Sequence, residues 1–423
     1  MRSLFRTSPA HDPPNQARRQ PIGVAFGGFA PLVFLFIACA SPPPATSHPD
    51  KESQPVPTPE IETRPLPTSS PQPLKRPASA GTIKHTGVFL APTSIPLGPE
   101  LEPWVQSLAD RGVTMVLLDI GTREGMGQRG GDASMIGTGG GVFFRTRWAR
   151  TERDVFGELI PVAHLAGISV FAATSLRRMN WVDPTLGWVD RSYDPVRAQV
   201  RLSPFLDLFH PAFHEYLVGL LTDLAATGID GLLFRNDSPL GPTDGFSQFA
   251  IRGFEHDFHI RADLAKLAPL PASALDPSGR PAAIDAARGQ ETREFWQWAG
   301  WKARETLKVM VRLRRAMLAQ APALQFAIEI HTEAFSDPLT ALVQYSEDLL
   351  EAKRAGFQFF LLRDSSPSAL LLERLEQHIP EKERIWAPVF VQAADSQQTD
   401  DWLSAARARE DRDRGIGLIY IRN

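Results

Sequence analysis

From residue 85 to the end, the chain alternates eight short apolar runs with helical stretches, and few folds accept that pattern. The runs occupy 85–91, 113–120, 168–175, 229–234, 324–330, 357–362, 385–391 and 416–421. Each is too short for a stable helix. Their near-continuous apolar character marks strands buried on both faces, as in a parallel sheet, rather than the alternating pattern of a half-solvated one. Helical stretches fill the gaps at 101–110, 154–165, 211–226, 291–320, 338–355, 368–378 and 400–407. In the third of these, Phe213, Leu217, Leu220, Leu221 and Leu224 line up on one stripe, ready to cover a sheet. Gly112, Gly167, Gly228, Gly356 and Gly415 stand just before strands, where helix C-caps favour glycine. Eight strands alternating with helices predict an α/β fold of the (β/α)8 TIM-barrel type, and a doubly wound open sheet is the alternative.

The first 84 residues read differently. Arg18 and Arg19 precede an apolar run, 22–39, that ends in Cys39, the sole cysteine of the chain. A positive flank, an apolar stretch and small residues before a cysteine describe a lipoprotein signal peptide at 1–38, with Cys39 as the lipidation site. An uncleaved membrane anchor is the competing reading; Pro31 and the Gly27–Gly28 pair weaken it. Residues 39–84 are dense in proline, serine and threonine and predict a disordered tether, which at about 3 Å per residue would reach on the order of 100 Å. The barrel is then 85–423, roughly 340 residues, enough to bury a core without staples. A net charge of −3 with both signs interspersed gives no nucleic-acid footprint. The segments together predict a protein of the bacterial cell envelope, held to a membrane by its lipid anchor and facing the periplasm.

In α/β barrels the chemistry sits where strands end. The run at 229–234 discharges into Arg235, Asn236 and Asp237, making Asp237 the first catalytic candidate. Other strand ends supply Asp119, Arg178, Glu329, His331 and Asp364, a set of acids and hydrogen-bonding groups suited to a sugar. Hydrolysis of a glycosidic bond commonly uses two carboxyl groups, and Asp237 with Glu329, on adjacent strands, would face each other across the ring. The plainer reading pairs these acids with Arg178, Arg235 or Arg363 in structural ion pairs. The long loops 121–147, 176–203 and 238–245 all follow strand ends and predict a deep cleft there. Trp181, Trp188 and Tyr193 in the second of them are candidates to stack on sugar faces, whereas Trp296, Trp298 and Trp301 fall on a helix and predict core.

Two motif look-alikes carry little. Gly125–Gly130 fits a dinucleotide-binding pattern literally, yet no helix opens after it, so a flap over the cleft is expected. His210 with His214, and His256 with His259, have metal-ligand spacing without the accompanying glutamate, and His210 is expected to cap a helix begun by Pro211. No cofactor and no resident metal are expected.

Arg201-Leu202-Ser203-Pro204, the following helix, and the segment from Ile229 to Ser238 together resemble the carboxy-terminal glycoside-hydrolase-like barrel of bacterial poly-β-1,6-N-acetylglucosamine deacetylase lipoproteins. In that family a strand of the Ile-Asp-Gly-Leu-Leu-Phe type runs into His-Asp-Asp-Ala. Here Arg235 replaces the histidine and Asn236 the first aspartate; Asp237 is retained. A further family aspartate falls on Gly241–Pro242 without a gap, and on Asp244 if the loop holds two extra residues. The proline-rich tether occupies the place of the family's metal-dependent deacetylase domain, so deacetylation is not carried over.

The resemblance implies an envelope lipoprotein glycosidase that hydrolyses or processes an N-acetylglucosamine-rich exopolysaccharide. The alternative is a catalytically inactive barrel that binds the polymer and assists the export machinery. Asp237, Glu329 and Asn236 would carry the chemistry, with Asn236 orienting a substrate acetamido group. Asp119, Arg178, Trp181, Arg201, Arg235, Asp244, His331 and Asp364 would bind.

Overall fold

The computed structural model describes residues 87–122, 137, 139–268, 292–363, 369–379, 384–392 and 416–422. The expected signal with Cys39, the expected tether, the flap expected at 125–130, Asp364 and the helix expected at 400–407 lie outside the described residues. Among the described residues there are ten strands: β1 (Gly87–Leu90), β2 (Met115–Asp119), β3 (Ser169–Ser175), β4 (Val189–Asp194), β5 (Gln199–Leu206), β6 (Gly231–Arg235), β7 (Gln325–Ile330), β8 (Phe359–Leu362), β9 (Ile385–Gln392) and β10 (Ile416–Arg422). Eight of them form a closed barrel in chain order, all parallel, with β10 pairing back onto β1. Each expected strand is present, shifted by at most two residues at either end.

Helices cross over between them. They are α1 (Leu101–Asp110), α2 (Val155–Leu165), α3 (Pro211–Ala225), α4 (Gln248–Phe258), α5 (Leu264–Leu267), α6 (Arg293–Gln320), α7 (Glu333–Ser336), α8 (Pro338–Tyr345), α9 (Leu349–Arg354) and α10 (Ala369–His378). His210 caps α3 as expected, its Nδ1 accepting from the Ala212 amide at 3.2 Å.

Strand periodicity divides the core in two. Leu117, Leu233, Ala327 and Leu361 point into the barrel, where Phe171 and Trp386 meet edge-to-face at 5.4 Å. Their neighbours Val116, Leu118, Leu232, Phe234, Phe326 and Ile328 point outward to the helices. Both faces of each strand are therefore dry, which is why the strands read as unbroken apolar runs. Trp298 and Trp301 are buried on α6 as expected, stacked at 5.2 Å; Trp296 is half-buried.

The loop expected at 176–203 instead contains an antiparallel hairpin, β4–β5, outside the barrel. Its turn is built by Asp194, whose Oδ1 accepts from the amides of Val196 and Arg197 at 3.0 Å each, and by Ala198 at φ 51°. This arrangement, a local side-chain turn closed by one left-handed residue, gives only a weak sequence signal without a glycine.

The Asp230-Gly231 pair serves the opposite end of the barrel from the strand ends. Asp230 Oδ2 accepts from the Val170 amide at 2.8 Å and meets His164 Nε2 at 2.9 Å, tying β3 and α2 to the start of β6. A Cβ on Gly231 would stand 2.2 Å from the Phe171 ring and 2.7 Å from the Gln325 carbonyl oxygen. Gly231→Ala is therefore expected to destabilise the protein by about 1–3 kcal/mol through overpacking, read as a lowered urea midpoint with an unchanged m-value.

Candidate functional site

Strand register gathers a charged layer above the apolar barrel interior. Ser175 of β3 is opposite Arg235 of β6, and Phe234 opposite Ile328, which brings Arg235 and Glu329 to the same level. Arg235 Nη1 lies 3.2 and 3.4 Å from the two oxygens of Asp119, and its Nε lies 4.0 Å from Glu329 Oε2. The guanidinium also covers the Phe89 ring at 5.1 Å. Asp119 and Glu329 are both buried, and an ion pair of this kind is costly to break from one side.

Glu329 also organises the chain that follows β6. Its Oε2 accepts from the Asn236 amide at 2.8 Å, while Arg363 Nη1 donates to the Asn236 carbonyl oxygen at 2.8 Å and lies 3.5 Å from the same Glu329 oxygen. The main chain of Asn236 is thus held at both its N–H and its C=O. Asp237, the next residue and half-buried, is carried on that fixed backbone.

The Asn236 side chain is committed too. Its Nδ2 donates to Glu347 Oε1 at 2.6 Å and lies 3.3 Å from the Tyr345 carbonyl oxygen. Glu347 further accepts from the His331 amide at 2.9 Å and meets His331 Nδ1 at 2.8 Å; the His331 ring lies flat on Tyr345 at 3.6 Å. Asp237, Asn236, Glu329, His331, Arg235 and Asp119 are thus neighbours in one region at the carboxyl ends of β2, β6 and β7.

A second polar unit anchors the loops beside it. Arg177 donates to the carbonyl oxygens of Ser238 and Pro239 at 3.0 and 2.7 Å and to Asp190 Oδ2 at 2.7 Å. Asp190 also accepts from the Gly245 amide at 3.1 Å and the Arg191 amide at 2.7 Å. Lys302, wholly buried on α6, donates to the carbonyl oxygens of Gly241 and Asp244 at 2.5 and 3.2 Å and lies over the Trp298 ring. Burial pushes the Asp190 carboxyl up to about 7, against the pull of the Arg177 guanidinium. Burial likewise pushes the Lys302 ammonium down to about 7.

Other expected site residues fall elsewhere. Arg201 is an exposed residue of β5 paired with Asp194 at 2.5 Å. Asp244 turns its carboxylate back to the Gly241 amide at 3.2 Å. Arg178 is half-buried immediately after Arg177. The aromatics expected to stand exposed are instead packed into the wall. Trp181 Nε1 donates to Tyr216 Oη at 2.9 Å, and its ring fills the space left by Gly121. Trp188 lies against Phe213 and Tyr216, and Tyr193 is buried beside Phe246. The hairpin folds this segment onto α3 and onto Phe246, just before α4, so its large rings serve as packing.

Glu347, Tyr345 and Lys302 escaped the sequence reading. The helix expected at 338–355 breaks between α8 and α9, where Ser346 adopts φ 52° and donates through its hydroxyl to the Leu240 carbonyl oxygen at 2.8 Å. That break turns Glu347 inward. A lysine directly after Trp301, on the buried face of α6, was the one available signal for Lys302. Among the described residues no group of three or more His, Cys, Asp or Glu side chains is placed to hold a metal.

This geometry can be set beside known proteins. No protein-family model matches the chain, and no curated protein matches its sequence. Its fold does match a solved one. The chain is similar to the glycoside hydrolase domain of PgaB (BpsB) from Bordetella bronchiseptica. The TM-score is 0.56 at 19% identity, over 80% of this chain and 93% of that domain. The sequence resemblance read around 201–245 pointed to the same barrel. A β-galactosidase from Rahnella sp. R3 gives a TM-score of 0.45 at 14% identity, over 68% of this chain and 40% of its own.

Two outcomes follow from this geometry. Arg235→Met should destabilise the protein by about 3–5 kcal/mol, because two buried carboxylates lose their shared cation, and Asp119→Asn in the same chain should recover part of it; urea melts of the two variants decide. For Lys302, the folded group titrates near 7 and the unfolded one near 10.5. Between these values only the unfolded chain holds the proton, so this group adds stability as pH rises from 7 and withholds it below. Comparison of urea midpoints for the wild type and Lys302→Met from pH 6 to 10 should show the wild type gaining on the variant above pH 7.

Proposed function

We propose that this protein is a glycan-processing barrel of the bacterial cell envelope, acting on an N-acetylglucosamine-rich polysaccharide by hydrolysis of its glycosidic bonds. The observation that carries the proposal is the rigid presentation of Asp237. It follows a residue whose amide is held by Glu329 and whose carbonyl is held by Arg363, on a barrel like that of the PgaB glycoside hydrolase domain. A preorganised carboxyl at a strand end is what general-acid catalysis requires. Asp237 would protonate the departing glycosidic oxygen. With Glu329 engaged by Asn236, Arg235 and Arg363, the nucleophile falls to the substrate's own 2-acetamido oxygen, which attacks the anomeric carbon as that bond breaks. Water then opens the cyclic intermediate and returns a proton to Asp237. His331 and Asp119 would lie along the sugar path. Cys39 would carry the lipid and 39–84 the tether that holds the barrel away from the membrane.

A second reading is favoured by the ion pairs themselves. Asp119 and Glu329, two acids of the mouth, are joined to Arg235, as suits a barrel that binds the polymer and assists its export without cutting it. Reducing-end release from poly-β-1,6-N-acetylglucosamine distinguishes them, with affinity electrophoresis run in parallel. The hydrolase reading expects Asp237→Asn to lose release by at least about 100-fold while retaining the polymer. A wild type that retains the polymer and releases nothing supports the binding barrel instead.

A further inference from the structure

Behind the mouth, on the outer side of the barrel wall, lies a cavity of about 300 Å³. Ala303, Leu307 and Met310 of α6, Ile328 and Ile330 of β7, and Leu349 of α9 give it apolar walls. Engineered apolar cavities of about 150 Å³ already bind benzene, so a space of this size is adequate for a real ligand. Three further observations point to one.

The first is Gly300. It sits inside α6, where glycine weakens a helix relative to alanine. The other described helix-interior glycines have a packing reason: a Cβ would meet the Asp154 carboxylate at Gly157, the Trp148 ring at Gly219 and the Trp301 ring at Gly253. At Gly300 nothing lies within 4 Å of the added Cβ, and the residue lines the cavity. Its smallness opens the cavity and relieves no clash. The second is Thr306, also on the wall, whose Oγ1 is buried with no hydrogen-bond partner among the described residues. The third is charge. The charged lining residues are Glu329 and Glu347, buried at the inner end, and Asp348, Glu351 and Arg304, exposed at the rim. Arg304 is already near Asp257 and Glu305, at 3.3 and 3.4 Å. Among these acids Glu329 is already paired with Arg235 and Arg363, and Glu351 with Arg354. Glu347, held by His331, and Asp348 have no lysine or arginine partner among the described residues, so the lining is left with acids to balance.

We propose that this cavity binds a small amphiphile with an apolar body and a cationic head. By the benzene comparison, six carbons in about 150 Å³, the body would have roughly ten non-hydrogen groups. The hydroxyl of Thr306 supplies a polar contact within the apolar section, and the carboxylates at the ends favour a positive head over a negative one. The site is distinct from the glycan reading, although Asn236, Glu329 and Glu347 form part of its lining. A bound ligand therefore touches the same three side chains that steady the mouth.

The test is titration calorimetry of the full chain at pH 7 with octylamine and octanoate. Octylamine should bind at least about ten-fold more tightly than octanoate, and Gly300→Phe, which fills the open space, should weaken octylamine at least about ten-fold. Equal affinity for amine and carboxylate, no binding of octylamine, or full affinity in Gly300→Phe would each overturn the proposal. Should Gly300→Phe fail to fold, the amine-to-carboxylate ratio of the wild type still decides.

Discussion

The Arg235 guanidinium, set between Asp119 and Glu329, is the contact on which the mouth of this barrel depends. Two carboxylates at this depth, on strands β2 and β7, share one planar cation whose face Phe89 supports, and Arg363 adds a second cation beside Glu329. Glu329, once fixed, holds the Asn236 amide, and Arg363 holds the same residue's carbonyl. From there the Asn236 side chain reaches Glu347, and Glu347 holds His331. The polar architecture is thus a chain of dependencies that starts on the strands, the stiffest part of the fold, and spreads to the loops.

The barrel was legible in the sequence because its determinants are local. A strand dry on both faces must be apolar throughout, and a helix that returns the chain must end before the next strand. Val116, Leu117 and Leu118 satisfy the first condition, and Gly112 and Gly167, both with positive φ, satisfy the second. The location of the mouth was legible for the same reason, since strand ends are where the apolar runs stop. Asp119, Arg235 and Glu329 could be nominated individually, but their pairing could not: it depends on register between strands far apart in the chain.

The less legible features depend on backbone conformations with weak sequence signals. Ser346 and Ala198 adopt left-handed φ without being glycine, so neither the inward turn of Glu347 nor the β4–β5 hairpin was announced. Once the hairpin forms, Trp181, Trp188 and Tyr193 have a wall to pack on, and residues that resembled a sugar platform become part of the structure.

The hairpin's attachments have a consequence for motion. The Tyr193 amide donates to the Thr243 carbonyl, the Phe246 amide to the Arg191 carbonyl, and Asp190 takes the Gly245 amide. Arg177 and Lys302 clamp the same 238–245 segment from below. Two loops that follow different strands are therefore stitched into one cooperative body. They open together or remain closed together, so the rim on the β3–β6 side behaves as a single shutter rather than two independent flaps.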